Sequence, residues 1–196
     1  MDTPRARGES ENPESSAERH LRTRRVLLRP WRSEDLAPCA AMNADPQVVE
    51  YFPAPLSTGE SEAFVARMQA SIEARGYGLW AVEAPSEAAF IGCVGLLAVG
   101  EEMPFAPAVE IGWRLARPYW GRGLAHEAAL AAMAFAFQGL GLRGLVAFTA
   151  QGNTRSRRLM ERLGMRRDPA EDFPHPALPA RHPLRAHVLY RLDAPR

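Results

Sequence analysis

The segment Val109–Ala125, VEIGWRLARPYWGRGLA, joins two glycines to the start of a predicted helix. Main-chain N–H groups in a first helical turn have no partner within the helix and carry partial positive charge. Gly121 and Gly123 have no Cβ atom, so the chain there can approach an anion closely, and Arg122 adds charge at the rim. These features predict a pyrophosphate site, formed by Trp120, Gly121, Arg122, Gly123, Leu124 and Ala125.

A simple turn and a dinucleotide site are the two alternatives to a pyrophosphate site at this loop. Glycines in front of a helix are more often a simple turn, and the loop alone does not decide against one. A dinucleotide-binding fingerprint would need a third glycine, where His126 stands, and an acidic residue about 20 residues further on. The segment 140–149 contains no acid. The dinucleotide interpretation is therefore discarded, and the simple turn stays open.

The elements around this loop alternate between strand and helix patterns. Ser57 and Glu60 have the spacing of a capping box, and Asn153 is a favoured residue type for another helix cap. The patterns predict strands at 26–29, 78–82, 90–98, 109–115, 145–149 and 187–191, and helices at 33–43, 45–51, 57–76, 125–138 and 154–163. This succession predicts an α/β fold built on one mixed sheet.

Bulk composition is that of a globular protein. The 196 residues, 46% of them hydrophobic, suit one domain, which we expect at residues 21–192. Residues 1–20 are rich in Ser, Glu, Arg and Pro, which is typical of a disordered tail. The formal net charge of +1 argues against a protein built mainly to bind nucleic acid. Without an apolar run of membrane-span or signal-peptide type, we expect a cytoplasmic protein with no membrane contact.

Several kinds of chemistry are excluded or disfavoured by residue type. All 24 basic residues are arginine, which excludes a Schiff-base lysine and a Walker-type loop. Cys39 and Cys93 are expected to be buried, reduced thiols rather than a disulfide or a nucleophile. The spacing of His175, His182 and His187 matches no standard ligand pattern, so we expect no metal site.

Three short motifs resemble those of the GNAT N-acetyltransferase superfamily. The stretch 120–125, WGRGLA, is similar to its Gln/Arg-x-x-Gly-x-Gly/Ala signature. Asn153-x-x-Ser156 followed by residues 160–165, MERLGM, is similar to its Asn-x-x-Ser…Glu-Lys-Leu-Gly-Phe segment. Residues 27–36 resemble the first strand and helix of the RimJ/RimL-like branch. Each motif is weak alone, but three in this order and spacing, across roughly residues 21–192, are specific.

This resemblance implies the GNAT fold, in which the central strands splay and the pantetheine arm of acetyl-CoA lies between them like an added strand. The main chain of Ile111 and Trp113 would then pair with the amides of that arm. The loop 120–125 would bind the pyrophosphate, and Asn153 and Ser156 would contact the other side of the cofactor. A plain helix cap explains Asn153 equally well.

The resemblance also implies the reaction, transfer of the acetyl group of acetyl-CoA to a primary amine by direct attack in a ternary complex. A base must deprotonate the amine, because a lysine side chain has a pKa of about 10.4 and an α-amino group about 8. Glu110 is the expected base if burial raises its pKa, although a salt bridge with Arg114 is an equal alternative. Met160 replaces the family's usual tyrosine acid, which leaves Ser156 as substitute. Because this tyrosine is absent, a second function stays open: a sensor that binds acyl-CoA without turnover.

The acceptor side carries weaker signals. The proline-rich segment 168–184 is expected to cover the acceptor pocket, because functional groups concentrate on loops over rigid scaffolds. Asp172 and His175 are its candidate residues, and Trp80 and Phe105 are candidate apolar walls. The acceptor, a protein N-terminus or a small amine, stays open, as does a homodimer. The arginines between 155 and 167 are expected to be a solvated helix face or neighbours of the cofactor phosphates rather than a nucleic-acid site.

Overall fold

A computed structural model describes residues 20–195, which form nine strands and four α-helices. The strands are β1 Leu21–Arg22, β2 Leu27–Arg29, β3 Leu79–Ala84, β4 Ala88–Ala98, β5 Val109–Leu115, β6 Gly144–Ala150, β7 Arg166–Arg167, β8 Phe173–Pro174 and β9 Ala186–Asp193. The helices are α1 Leu36–Ala44, α2 Thr58–Arg75, α3 Leu124–Ala134 and α4 Thr154–Arg162. Residues 1–19, most of the predicted tail, lie outside the described residues.

All nine strands belong to one mixed sheet. Its order is β1-β2-β3-β4-β5-β6-β9-β7, and β8 pairs with β9. Every pairing in the described chain is antiparallel except that of β5 with β6. The predicted α/β fold on one mixed sheet is confirmed.

Local sequence explains where the helices begin and end. The Ser57 hydroxyl accepts a hydrogen bond from the Glu60 main chain, and the Glu60 carboxylate accepts one from Ser57 N, so the predicted capping box is present. Gly76 ends α2 with a left-handed φ of 76°. Pro38 does not break α1, because it lies in the first turn, where a main-chain N–H has no helical partner.

The segment Asp45–Tyr51, predicted as a short helix, forms only turns. The Asp45 carboxylate accepts a hydrogen bond from Gln47 N at 2.9 Å, while its carbonyl accepts from Val48 and Val49. Such local side-chain bonds offer the backbone an alternative to a continued helix. The prediction was therefore wrong at this segment, which instead lines the cavity described below.

The core lies between the sheet and its helices. Trp80, Ile91, Leu96 and Ile111 are almost completely buried at its centre. Cys39 and Cys93 are buried free thiols, as predicted, and burial raises the pKa of Cys39 to about 12 and that of Cys93 to about 11. Within residues 20–195, no helix is both long enough and apolar enough to cross a membrane.

Candidate active site

The sheet opens between β5 and β6. β4 and β5 pair at seven positions, from Gly92 with Leu115 to Ala98 with Val109. β5 and β6 pair at one position, Glu110 with Val146. Beyond that pair, residues 111–115 have strand partners only on β4 within the described chain. A splayed strand edge offers main-chain groups to a ligand that can lie along it as an extra strand.

A cavity of about 630 Å³ lies at this opening, a size typical of small-molecule and cofactor sites. The structure brings together eleven of the predicted site residues in its lining. These are Glu110, Ile111, Trp113, Trp120, Gly121, Gly123, Leu124, Ala125, Asn153, Ser156 and His175. They come from one strand, the following loop and helix, the start of α4, and the segment before β9.

The glycine loop presents free main-chain donors to this cavity. Gly121 and Gly123 have φ values of 70° and 78°, a region that side-chain-bearing residues rarely adopt. The N–H groups of residues 121–123 donate to no other group in the described part of the chain, and α3 begins at Leu124. A Cβ added at Gly121 would meet nothing within 4 Å. The loop therefore has the donors and the space for an anionic group.

A network of hydrogen bonds at the protein surface holds the glycine loop in place. The Glu127 carboxylate accepts hydrogen bonds from the Thr23 hydroxyl at 2.7 Å, from Arg25 N at 2.8 Å and from Arg25 Nε at 2.6 Å. Arg25 Nη1 in turn donates to the carbonyl of Arg122 at 2.9 Å. The turn between β1 and β2 is thus tied to the glycine loop through one carboxylate on α3.

Glu110 is a carboxylate without a partner. Its side chain lines the cavity and makes no hydrogen bond or salt bridge with any group among residues 20–195. Burial raises its pKa to about 8, because desolvation disfavours the charged form. Arg114, the alternative partner, bonds instead to Asn43 Oδ1 at 2.5 Å and lies 4.0 Å from the centre of the Phe52 ring. The salt-bridge alternative is therefore excluded, and a carboxyl poised near neutral pH remains.

The start of α4 forms another wall. Asn153 caps the helix, its Oδ1 accepting from Ser156 N at 3.1 Å while its Nδ2 donates to Thr149 Oγ1 at 3.0 Å. The helix-cap alternative is thus confirmed, and it uses both ends of the amide. The Ser156 hydroxyl has no partner among the described residues and lines the cavity. Met160 is buried at the same wall.

Comparison with known proteins identifies the family of this chain. Residues 25–166 match the family model described as an acetyltransferase (GNAT) domain. The chain belongs to the GNAT acetyltransferase family. Its reaction is therefore an acetyl transfer, and it is an acyltransferase enzyme, as the sequence motifs predicted.

The chain is also similar to individual acetyltransferases over most of its length. The uncharacterized N-acetyltransferase YnaD of Bacillus subtilis is 28% identical over 150 residues, which span 76% of this chain and 84% of YnaD. An acetyltransferase structure from Agrobacterium tumefaciens is similar at 27% identity and a TM-score of 0.73, over 97% of this chain and 99% of that one. The ribosomal-protein-S5-alanine acetyltransferase of Vibrio fischeri shares the fold, with a TM-score of 0.71 at 16% identity over 90% and 97% of the chains.

Arg122 does not face the cavity of this GNAT enzyme. Its guanidinium is paired with the Glu87 carboxylate on the surface, with 2.8 Å between Nη1 and Oε2. Positive charge at the cavity comes instead from α4, whose Arg155, Arg158 and Arg162 are among the lining residues. Charges one turn apart share a helix face, so the helix period places these three on the cavity side.

Three residues predicted for the acceptor side lie elsewhere. Trp80 is completely buried and packs edge-on against Phe135 at 5.5 Å between ring centres. Asp172 is paired with Arg167, whose Nε donates to its carboxylate at 3.0 Å. Phe105 packs behind the cavity against Phe148 and Phe173. We therefore leave Trp80, Phe105 and Asp172 out of the proposed site.

Several side chains that line the cavity were not predicted from the sequence. Phe148 lies on β6, His187 on β9, and Leu178 and Leu184 on the loop between β8 and β9. Phe148 lies on a strand that the sequence does predict. The register that places Phe148 on the same face as Glu110 depends on how β5 and β6 pair, which the sequence of neither strand reveals. The His175 and His187 rings lie 4.8 Å apart, and the described residues hold no cluster with metal-ligand geometry.

Proposed function

We propose that this GNAT enzyme transfers the acetyl group of acetyl-CoA to a primary amine, with Glu110 as the general base. One observation carries the proposal. An unpaired carboxyl whose pKa is raised to about 8 lines the cavity where the sheet opens, and a glycine loop with free N–H donors lines the same cavity. A general base works best when its pKa is close to the operating pH.

The cofactor side of the cavity fits the shape and charge of acetyl-CoA. The free N–H groups of residues 121–123 and the first turn of α3 suit the pyrophosphate. The edge of β5 at Ile111 and Trp113 suits the amides of the pantetheine arm. Arg155, Arg158 and Arg162 add positive charge on the facing helix. The ligand supplies an acetyl group activated as a thioester.

The proton steps follow from the two free side chains at the cavity. Glu110 takes a proton from the bound ammonium, and the neutral nitrogen then forms the N–C bond as the C–S bond breaks. The second proton that the nitrogen loses goes to the departing sulfur, which leaves as the CoA thiol. The Ser156 hydroxyl, which has no partner among the described residues, donates a hydrogen bond towards the departing sulfur. Glu110 releases its proton to solvent at the end of the cycle. Met160 donates no proton, so the account needs no tyrosine acid.

The test is release of free CoA thiol from acetyl-CoA in the presence of a broad panel of primary amines. Wild type should turn over at least one amine, and Glu110→Gln should reduce kcat by about 100-fold or more, the usual range for a lost general base. Glu73→Gln, at an exposed position on α2, is the matched control and should leave kcat unchanged. Full activity in Glu110→Gln would remove Glu110 from the mechanism. Binding of acetyl-CoA without turnover of any amine would instead favour the sensor alternative.

A further inference from the structure

The cavity has a separate compartment on the Glu110 side of the sheet. Side chains alternate between the two faces of a strand, and residues paired in register share a face. Glu110 pairs with Val146, so Phe148, two residues further along β6, lies on the Glu110 face. His187 lies on that face as well, because it is two residues from Leu189, the partner of Phe148. We call the lining by Phe52, Phe148, Leu178, Leu184, His175 and His187 the acceptor compartment.

Aromatic and aliphatic groups dominate this compartment. Phe148 lies 6.2 Å from the rings of both His175 and His187, measured between ring centres. Phe52 is an exposed ring, 38% accessible, on the opposite segment. Burial lowers the pKa of both histidines, so both are neutral at pH 7. The walls are therefore uncharged and offer flat rings and alkyl groups to a ligand.

A second positive charge on the acceptor would find no free carboxylate among the described residues that line the cavity. This lining holds four arginines, at positions 114, 155, 158 and 162, and a single carboxyl, Glu110, which the amine nitrogen occupies. Among the acidic side chains outside the lining, Asp172 is paired with Arg167, Glu171 with Arg191 and Glu50 with Arg155, whereas Glu102 acts on His175 from outside the cavity. A second cationic group would therefore lose its hydration in the compartment without gaining a partner, which acts against such a ligand.

We infer that the acceptor is a primary amine attached to an apolar or aromatic group and carrying no second cationic group. The inference rests on the proposed function, since it assigns the substrate of the same site. The amine nitrogen lies at Glu110, and its substituent packs among the rings and leucines of the acceptor compartment. Polyamines and other polycations are poor substrates, because their second charge would be desolvated in the acceptor compartment with no lining carboxylate to receive it.

The test compares kcat/KM for three acceptors with saturating acetyl-CoA. Phenethylamine represents a free small amine, a short peptide that begins with Phe and lacks basic residues represents a chain N-terminus, and spermidine represents a polycation. In wild type, phenethylamine or the peptide should exceed spermidine by about tenfold or more, the scale of a few buried methylene groups. If phenethylamine has the higher kcat/KM, the acceptor is a free small amine. If the peptide has the higher kcat/KM, the acceptor is a chain N-terminus.

Two variants sharpen the comparison. Leu184→Asp places a carboxylate in the acceptor compartment and should reduce the preference for the apolar amine over spermidine by about tenfold. Leu130→Asp, at an exposed position of α3 outside the cavity lining, is the control and should leave the preference unchanged. Acetyl-CoA affinity, measured by titration, should be the same in both variants and shows that each is folded.

The possible outcomes separate this inference from the proposed function. Turnover in which spermidine equals or exceeds both apolar acceptors overturns the inference and leaves the acetyl transfer standing. An unchanged preference in Leu184→Asp also overturns it, because the compartment then does not select the acceptor. If no amine of any class releases CoA thiol, both the proposed function and the inference fail.

Discussion

The two sides of the cavity are built by different means. The cofactor side is mainly main chain: a strand edge, two glycines and a helix start, contiguous over residues 109–125. The acceptor side is mainly side chains from β6, β9 and two distant loops. A ligand held by main-chain groups tolerates many neighbouring side chains, whereas a side-chain pocket changes with each substitution. On the proposed function, single substitutions should therefore change the choice of acceptor more readily than the binding of acetyl-CoA.

The largest difference between the two sides should appear in their pH dependence: kcat/KM, which depends on the acceptor side, should change with pH, and the affinity for acetyl-CoA should not. With Glu110 at a pKa of about 8, the base form is lost as pH falls, so kcat/KM should drop about tenfold per pH unit below that value. An alkylamine such as phenethylamine, with a pKa of about 10 like that of a lysine side chain, stays an ammonium below about pH 8, so its own titration does not enter the measurement. Acetyl-CoA affinity should stay nearly constant across the same range.

Glu110→Gln supplies the control for this profile. The variant should be slow, and with the same amine its kcat/KM should not show the fall below about pH 8. If kcat/KM of Glu110→Gln still falls at the same pH, another group titrates there. Glu110 would then not be the base on the acceptor side.

A smaller effect tests whether the glycine loop is held by Glu127. Glu127→Gln removes the charge that binds Arg25 and leaves one acceptor for three donors, so the loop should lose part of its fixed shape. The KM for acetyl-CoA should rise by about three- to tenfold with kcat nearly unchanged. Glu87→Gln breaks the exposed Glu87–Arg122 pair on the same loop and should change KM by less than about twofold. Equal effects in the two variants would refute the role of Glu127.

The elements on the proposed cofactor side could be predicted from the sequence because their determinants are local. A capped helix, paired glycines and an alternating strand each depend on residues within one short segment, and the elements from β3 to α4 lie where these patterns predicted them. The acceptor side depends on register between segments that are distant along the chain. Trp80 and Phe148 are both aromatic residues on strands, yet the first is in the core and the second lines the cavity. Only the sheet order and the position of the opening distinguish them.

A last effect concerns stability and needs no ligand. Between about pH 4.5, where an ordinary glutamate ionises, and about pH 8, the unfolded chain has lost a proton that folded Glu110 still holds. Stability contributed by this group therefore falls as pH rises through that interval. Glu110→Gln should gain free energy of unfolding relative to wild type at pH 8 compared with pH 5, measured by urea titration. A difference between the proteins that does not vary with pH would show that Glu110 is not desolvated.

The most direct test of the account is calorimetric titration of acetyl-CoA into two glycine variants. Gly123→Val and Gly141→Val each place a β-branched residue at a left-handed position, with φ of 78° and 64°, but only Gly123 lines the cavity. Backbone strain is therefore matched, and unfolding midpoints should fall similarly. We predict that affinity for acetyl-CoA falls about 100-fold, or about 2.7 kcal/mol, in Gly123→Val alone. Equal affinity in the two folded variants would contradict the assignment of the glycine loop as the cofactor site.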